Sequence, residues 1–243
     1  MKRAVISISY FDGDRVDAFK LARFIADLEP SYRPDVELCF VARHDAMPIT
    51  PAEMMQFITT FPISWIRTTT EAVGHPKGSN AMAIDFFRES LHRVRDGSWG
   101  EVEAIIFLEP DCVPVAKDWI NQLMREWTWG KTVCDIIALG CYRDKDVDVP
   151  HINGNAVWHP ELARHIDFAC DYTGKGWDSA IAPQLIGRKV HTSLIANLWK
   201  ETNVAESRMA RNPFTPEGTP PPVLIHGVKD DSAWNFARKQ MKL

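Results

Sequence analysis

The chain lacks C-x-x-C pairs and any zinc-type cysteine and histidine spacing, and its five cysteines, Cys39, Cys112, Cys134, Cys141 and Cys170, are an odd number. That usage argues against a disulfide framework and fits reduced thiols in a reducing compartment. No apolar run approaches the roughly 20 residues that a membrane-spanning helix needs. The opening stretch MKRAVISISYFDGD has two basic residues before an apolar run, but the run is short, carries Ser7 and Ser9, and ends at Asp12 without a small-residue cleavage site. It reads as a first strand and not as a leader, so a soluble, cytoplasmic protein is expected. An excess of positive charge is also missing: 28 Lys and Arg stand against 32 Asp and Glu, a formal net charge of -4. Global attraction to nucleic acid or anionic membrane is thereby excluded, and a local basic groove is the one electrostatic route left to a polyanion. Internal repeats and low-complexity tracts are absent as well.

What is present is ordinary globular material. At 243 residues, 45% hydrophobic and 25% charged, the chain is long enough for one large α/β domain with a full core. Residues 4–10 read as a strand, followed by a turn at Asp12, Gly13 and Asp14 and a helix with Leu21, Phe24, Ile25 and Leu28 on one stripe. Residues 36–42 form a second strand whose carboxyl end delivers Arg43, His44 and Asp45 towards a possible nucleotide pocket. Thr50 and Glu53 have capping-box spacing at a short helix, and residues 63–67 make a third strand. The loop from Gly74 to Asn80 leads into a helix capped by Ser79 or Asn80. Its Lys77 suits a phosphate at a helix N-terminus and equally suits plain solvation.

The chain is organised around residues 104–115, AIIFLEPDCVPV. Ala104 to Leu108 are continuously apolar, as a strand buried on both faces requires, and Glu109 and Asp111 follow at its carboxyl end. Open α/β sheets bind ligands at that end, and two acids two residues apart, stiffened by Pro110, are able to hold a divalent cation. The competing reading is a solvated strand-end turn.

Downstream, Asp118 is expected to cap a helix with Trp119, Leu123 and Trp127 in the core, and residues 133–141 to form a strand. Residues 151–166 should return through a Gly-centred turn into a helix, and Trp177 and Asp178 stand just ahead of another. Residues 191–198 read as a strand. Residues 201–222, rich in proline, read as a loop able to form a lid, and a short strand carries His226, Gly227 and Lys229.

Strands alternating with helices, an acid pair after a buried strand, a late Trp-Asp before a helix, and a C-terminal His-Gly-x-Lys together resemble nucleotide-sugar glycosyltransferases of the GT-A fold. The resemblance implies an α/β Rossmann-like fold with a mostly parallel central sheet flanked by helices. It implies a single domain over residues 1–243, with a nucleotide-binding half (1–115), an acceptor half (116–243) and a C-terminal lid loop at about 201–222. The family's D-x-D element appears here as Glu109-Pro110-Asp111, its first acid a glutamate, and would hold Mn²⁺ or Mg²⁺ with His226 completing the shell. Lys229 would reach the diphosphate, joined by Lys77, with Tyr10 and Asp45 contributing to the nucleotide site. The proline-tryptophan that commonly follows the C-terminal motif is absent. Asp178 matches the base of inverting members. Asn153, Gly154 and Asn155 are candidates for the donor sugar, and Trp158 and Trp177 for flat contacts to a sugar or base, although with nine tryptophans most must be core.

The implied activity is metal-dependent transfer of a sugar from a nucleotide-diphosphate sugar, a UDP-sugar foremost, to an acceptor hydroxyl. The acceptor would be a saccharide, a small molecule, a protein, or a hydroxymethylated DNA base reached by Arg208, Arg211, Arg238, Lys239 and Lys242. Two other classes compete. A sugar nucleotidylyltransferase is disfavoured because SYFDGD replaces the expected Gly-rich, Arg-containing loop. A non-catalytic nucleotide-sugar or carbohydrate binder would tolerate loss of Asp178.

Overall fold

A computed structural model describes residues 2–143, 151–169, 174–211 and 218–243. The chain runs β1 (Lys2–Tyr10), α1 (Arg15–Asp27), β2 (Val36–Ala42), α2 (Pro51–Met55), β3 (Ile63–Arg67), α3 (Lys77–Arg95), β4 (Val102–Leu108) and β5 (Cys112–Pro114). It continues through α4 (Trp119–Cys134), β6 (Ala138–Arg143), β7 (His151–Trp158), α5 (Leu162–His165), α6 (Trp177–Ala180), β8 (Lys189–His191) and β9 (Ile195–Asn197), then α7 (Glu206–Met209), β10 (Leu224–His226) and α8 (Ser232–Met241).

Seven strands form the main sheet in the order β3-β2-β1-β4-β7-β6-β8. The first four are mutually parallel, and β7 is antiparallel to both β4 and β6. The period-two alternation of a strand divides the core between the two faces. Ala104, Ile106 and Leu108 of β4 pack with α1 and α4, while Ile105 and Phe107 pack against Phe86 and Phe87 of α3. Burial on both faces is why β4 is apolar at every position from 104 to 108. The stripe Leu21, Phe24, Ile25 and Leu28 of α1 is buried, as are Trp119, Leu123 and Trp127 of α4. Thr50 and Glu53 form the reciprocal capping box expected at α2.

Several local expectations are corrected. Residues 151–158 are not a turn but an eight-residue strand, buried throughout, with Gly154 inside it. A Cβ on Gly154 would stand 3.1 Å from the Trp177 ring, so this glycine serves close packing and not chain reversal. The strand expected over 133–141 starts only at Ala138, because α4 runs on to Cys134 and ends through Asp135 in the left-handed conformation. The strand expected over 191–198 is two, β8 and β9, separated where Thr192 turns its hydroxyl to Glu126.

Neither Ser79 nor Asn80 caps α3, which begins at Lys77. Asn80 instead bridges to the backbone of Lys175 and Trp177. Asp118 spends its carboxylate on Asn121 and Arg125, not on helix N–H groups. Of residues 201–222, those described contain one helical turn, α7, and residues 212–217 lie outside the description. Met209, Ala210, Pro221 and Pro222 border a pocket against α8 whose lining does not include Glu109 or Asp111.

His159, just past β7, accepts the Glu161 N–H at Nδ1 (3.1 Å), a bond that requires the neutral ring. Burial, aided by the charge of Lys131, lowers its pKa from 6.5 to about 4. The unfolded chain therefore takes up this proton more readily, and stability should be lost as pH falls from 6.5 towards 4. The loss is roughly 1–2 kcal/mol after allowing for solvent screening. Urea unfolding at stepped pH should show it, and His159→Asn, which keeps an acceptor for Glu161, should flatten that part of the profile. An equally steep profile in the variant would exclude His159 as the cause.

Candidate metal and nucleotide site

At the carboxyl end of β4 the chain leaves the sheet at Glu109, turns through Pro110 and Asp111, and enters a second, three-stranded sheet ordered β5-β10-β9. In that sheet His226 of β10 stands opposite Cys112 of β5, while Asn197 of β9 pairs in register with His226. Strand pairing thus brings a histidine more than a hundred residues distant to the acid pair. Glu109 Oε2 lies 3.1 Å and Asp111 Oδ1 3.3 Å from His226 Nε2. Lys229 Nζ contacts Asp111 Oδ2 at 2.5 Å. On the far side of the imidazole, Nδ1 lies 3.1 Å from Asn197 Oδ1, so Nδ1–H donates and Nε2 is left facing the carboxylates.

Desolvation opposes ionisation of Asp111, yet His226 and Lys229 outweigh it and hold the carboxyl well below the usual carboxylate range. Glu109 is lowered on the same balance, with His226 the main counterweight. For His226 itself burial disfavours charge, but Asp111 and Glu109 raise the pKa to about 9.

One ligand atom from each of Glu109, Asp111 and His226 lies within 4.8 Å of the others. Asp111 Oδ1 is buried with no hydrogen-bond partner among the described residues, and the imidazole Nε2 stands 3.3 Å from it. Hard carboxylate oxygens with one imidazole, held in orientation from behind by an asparagine, are a donor set that fits Mn²⁺ or Mg²⁺.

Glu109 and Asp111 line a cleft of about 820 Å³, together with Ser9, Phe11, Arg43, His75, Ser79 and Lys229 among others, and His226 lies buried behind them. Phe11 is 40% exposed, and the Arg43 guanidinium lies 4.9 Å from its ring centroid. Asp14, also in the cleft, has its carboxyl raised to about 7, chiefly by burial.

Four expected nucleotide contacts are placed unevenly. Lys229 lines the cleft. Tyr10 does not: it is buried with its hydroxyl accepting from Ile49 N–H (2.8 Å), and the next residue, Phe11, takes the exposed place. Asp45 lies outside the lining, paired with Arg43 through two contacts of 2.6 and 2.9 Å, so that Arg43 is the member of its loop that reaches the cleft. Lys77 opens α3 on the surface, while His75 and Ser79 beside it line the cleft.

Trp158 and Trp177 are core residues. Their rings lie 5.1 Å apart among Phe87 and Phe107, and neither offers an open face to a sugar. Asp178 is buried beside β7, accepting Gly154 N–H at Oδ2 (2.9 Å) and Ser179 N–H at Oδ1 (2.8 Å), with His151 Nε2 3.9 Å from Oδ2. Asn153 and Asn155 are also buried, and Asn155 is bonded to Glu109. The basic residues considered for DNA are partly neutralised, with Arg208 on Glu201 and Lys239 on Glu206. Phe11 and Trp234 were missed as cleft residues. An exposed aromatic directly after a first strand was the available signal for Phe11.

Gly227 holds the geometry of this corner. Its φ is +90°, and a Cβ there would come 2.6 Å from Trp199 Cα. Gly227→Ala should therefore destabilise the protein by roughly 1–3 kcal/mol and displace His226 and Lys229. Thermal denaturation measures the first effect, and an unchanged midpoint would contradict it.

No protein-family model matches the sequence, and no curated protein matches it either. Solved structures do. The chain is similar to the galactosyltransferase LgtC in complex with donor and acceptor sugar analogues, at 10% identity and a TM-score of 0.56, over 98% of this chain and 94% of that one. It is similar to S. aureus TarS at 8% identity and 0.51, over 98% of this chain but 39% of that one. The mannosyltransferase PcManGT of Pyrobaculum calidifontis, in complex with GDP-Man and Mn²⁺, matches at 11% identity and 0.50, over 78% and 54%. The chain thus spans well under two thirds of the last two. At such identities the likeness concerns the fold, and the fold is that of the GT-A glycosyltransferases. Among the described residues no helix is long and apolar enough to cross a membrane.

Proposed function

We propose that the protein is a metal-dependent glycosyltransferase that moves a sugar from a nucleotide-diphosphate sugar, a UDP-sugar in the first instance, to an acceptor hydroxyl. The observation that carries this reading is the convergence of Glu109, Asp111 and His226, with Lys229 beside them, where Glu109, Asp111 and Lys229 line a cleft at the carboxyl end of the sheet. Bound there, Mn²⁺ or Mg²⁺ would neutralise the charge that builds on a departing diphosphate.

The chain's own groups account for the remaining needs. Lys229, released from Asp111, reaches the diphosphate as a mobile cation. Phe11 presents a ring face to the base while Arg43 holds the ring from one side. Asn153 and Gly154, on the strand that touches Glu109, are assigned to the donor sugar. Asp178 is assigned to the proton: its carboxylate, oriented by two backbone N–H groups, keeps lone pairs to accept from the acceptor hydroxyl.

The test is a screen of nucleotide sugars, GDP-mannose included, for Mn²⁺-dependent hydrolysis, which needs no known acceptor. Hydrolysis of one donor class, abolished by a chelator and restored by Mn²⁺, is expected. No turnover and no nucleotide binding with Mn²⁺ across the panel would reject the reading.

A further inference from the structure

We infer that Asn155 is a positioning residue that makes Glu109 a direct metal ligand, and not a contact to the donor sugar; this rests on the metal-dependent reading above. Glu109 stands where the GT-A motif carries aspartate, and its side chain has one more rotatable bond to fix. That side chain is 45% exposed against 23% for Asp111, so packing does little to orient it.

The side chain of Asn155, itself 1% exposed, supplies the constraint at two points. Its Oδ1 accepts the Glu109 backbone N–H at 2.6 Å, and its Nδ2 donates to Glu109 Oε2 at 3.1 Å. The amide has only one workable orientation. Oδ1 also accepts from the Cys112 thiol (3.1 Å) and Nδ2 also donates to Asn153 Oδ1 (3.0 Å), so a flipped amide would set donor against donor and acceptor against acceptor.

Every hydrogen-bonding position of the amide that these partners use is filled within the protein, which leaves no capacity for a sugar hydroxyl. The oxygen it grips, Oε2, is the one that faces His226 Nε2. Asn155 therefore fixes the rotamer in which Glu109 joins Asp111 and His226, and so accommodates a longer acid in the motif. The arrangement is that of an outer-shell residue, whose loss costs roughly 10- to 100-fold in metal affinity.

Mn²⁺ titration followed by the electron paramagnetic resonance of the free ion, with no nucleotide present, tests this without recourse to activity. Asn155→Ala and Glu109→Ala are each expected to weaken binding by about 10- to 100-fold, and the double variant to be no more than about threefold weaker than Glu109→Ala alone. Asn155→Leu keeps the volume should the alanine variant unfold, with circular dichroism as the check. Wild-type affinity in a folded Asn155 variant, or losses that multiply in the double variant, overturn the inference. So does wild-type affinity in Glu109→Ala, an arm that needs no Asn155 variant. A wild-type protein that binds no Mn²⁺ with or without nucleotide overturns the metal-dependent function itself, a different result from Mn²⁺ binding that ignores Asn155.

Discussion

Asp111→Ala is expected to abolish Mn²⁺-dependent nucleotide binding and to lower donor turnover by roughly 10²- to 10³-fold, the scale on which removing one charge-stabilising group acts. Asp111 is the more enclosed of the two acids, and it links the two cationic groups of the site, with Oδ1 towards His226 and Oδ2 on Lys229. Without it, the imidazole keeps a single carboxylate neighbour and Lys229 loses its tether. The His226 pKa should then fall from about 9, since the Asp111 charge is the largest influence raising it. Isothermal calorimetry with Mn²⁺ and UDP reads the binding, and nuclear magnetic resonance titration of His226 reads the shift. Nucleotide binding that persists at wild-type strength would remove Asp111 from the metal set.

Asp178→Asn is expected to lower transfer by roughly 10²- to 10⁴-fold while donor binding survives, as loss of a general base does. The same substitution also turns an amide N–H₂ towards Gly154 N–H or Ser179 N–H, both of which now find carboxylate oxygens. A stability loss of about 1–3 kcal/mol should accompany it. The two consequences separate by measurement. Donor affinity and donor hydrolysis in a protein still folded at the assay temperature, with acceptor transfer lost, identify the base. A fall in turnover no larger than the fall in folded fraction would leave Asp178 as an anchor for β7 and α6 only.

The strands of the regular half were legible in place, with β1 and β4 each beginning two residues before the expected span. Strands β2 and β3 have the expected bounds, and β4 ends where its apolar run meets Glu109. Local patterns suffice for β2 and β4 because parallel strands buried on both faces are nearly continuously apolar, whereas β3 is a half-exposed edge strand. The reading failed at β7, where HINGNAVW contains polar residues and a glycine that normally punctuate a turn. The strand is buried there because Glu109 accepts from the Asn155 side chain and Asp178 from the Gly154 backbone N–H, and no local pattern announces a partner that far away. Helix α8 was overlooked although Ala233, Ala237 and Met241 recur at helical spacing.

The amino-acid sequence by itself determined the alternation of strands and helices, the acid pair at the end of a buried strand, and the His-Gly-x-Lys that answers it, since periodicity, burial and spacing are properties of neighbouring residues. Only the tertiary structure decided which groups meet. It turned Trp158 and Trp177 into core, buried Tyr10 while leaving Phe11 exposed, drew Asn155 onto Glu109, and set His226 between two carboxylates. Those outcomes depend on strand order and register across more than a hundred residues of chain, and such contacts are fixed by the packing of whole elements and not by the residues on either side.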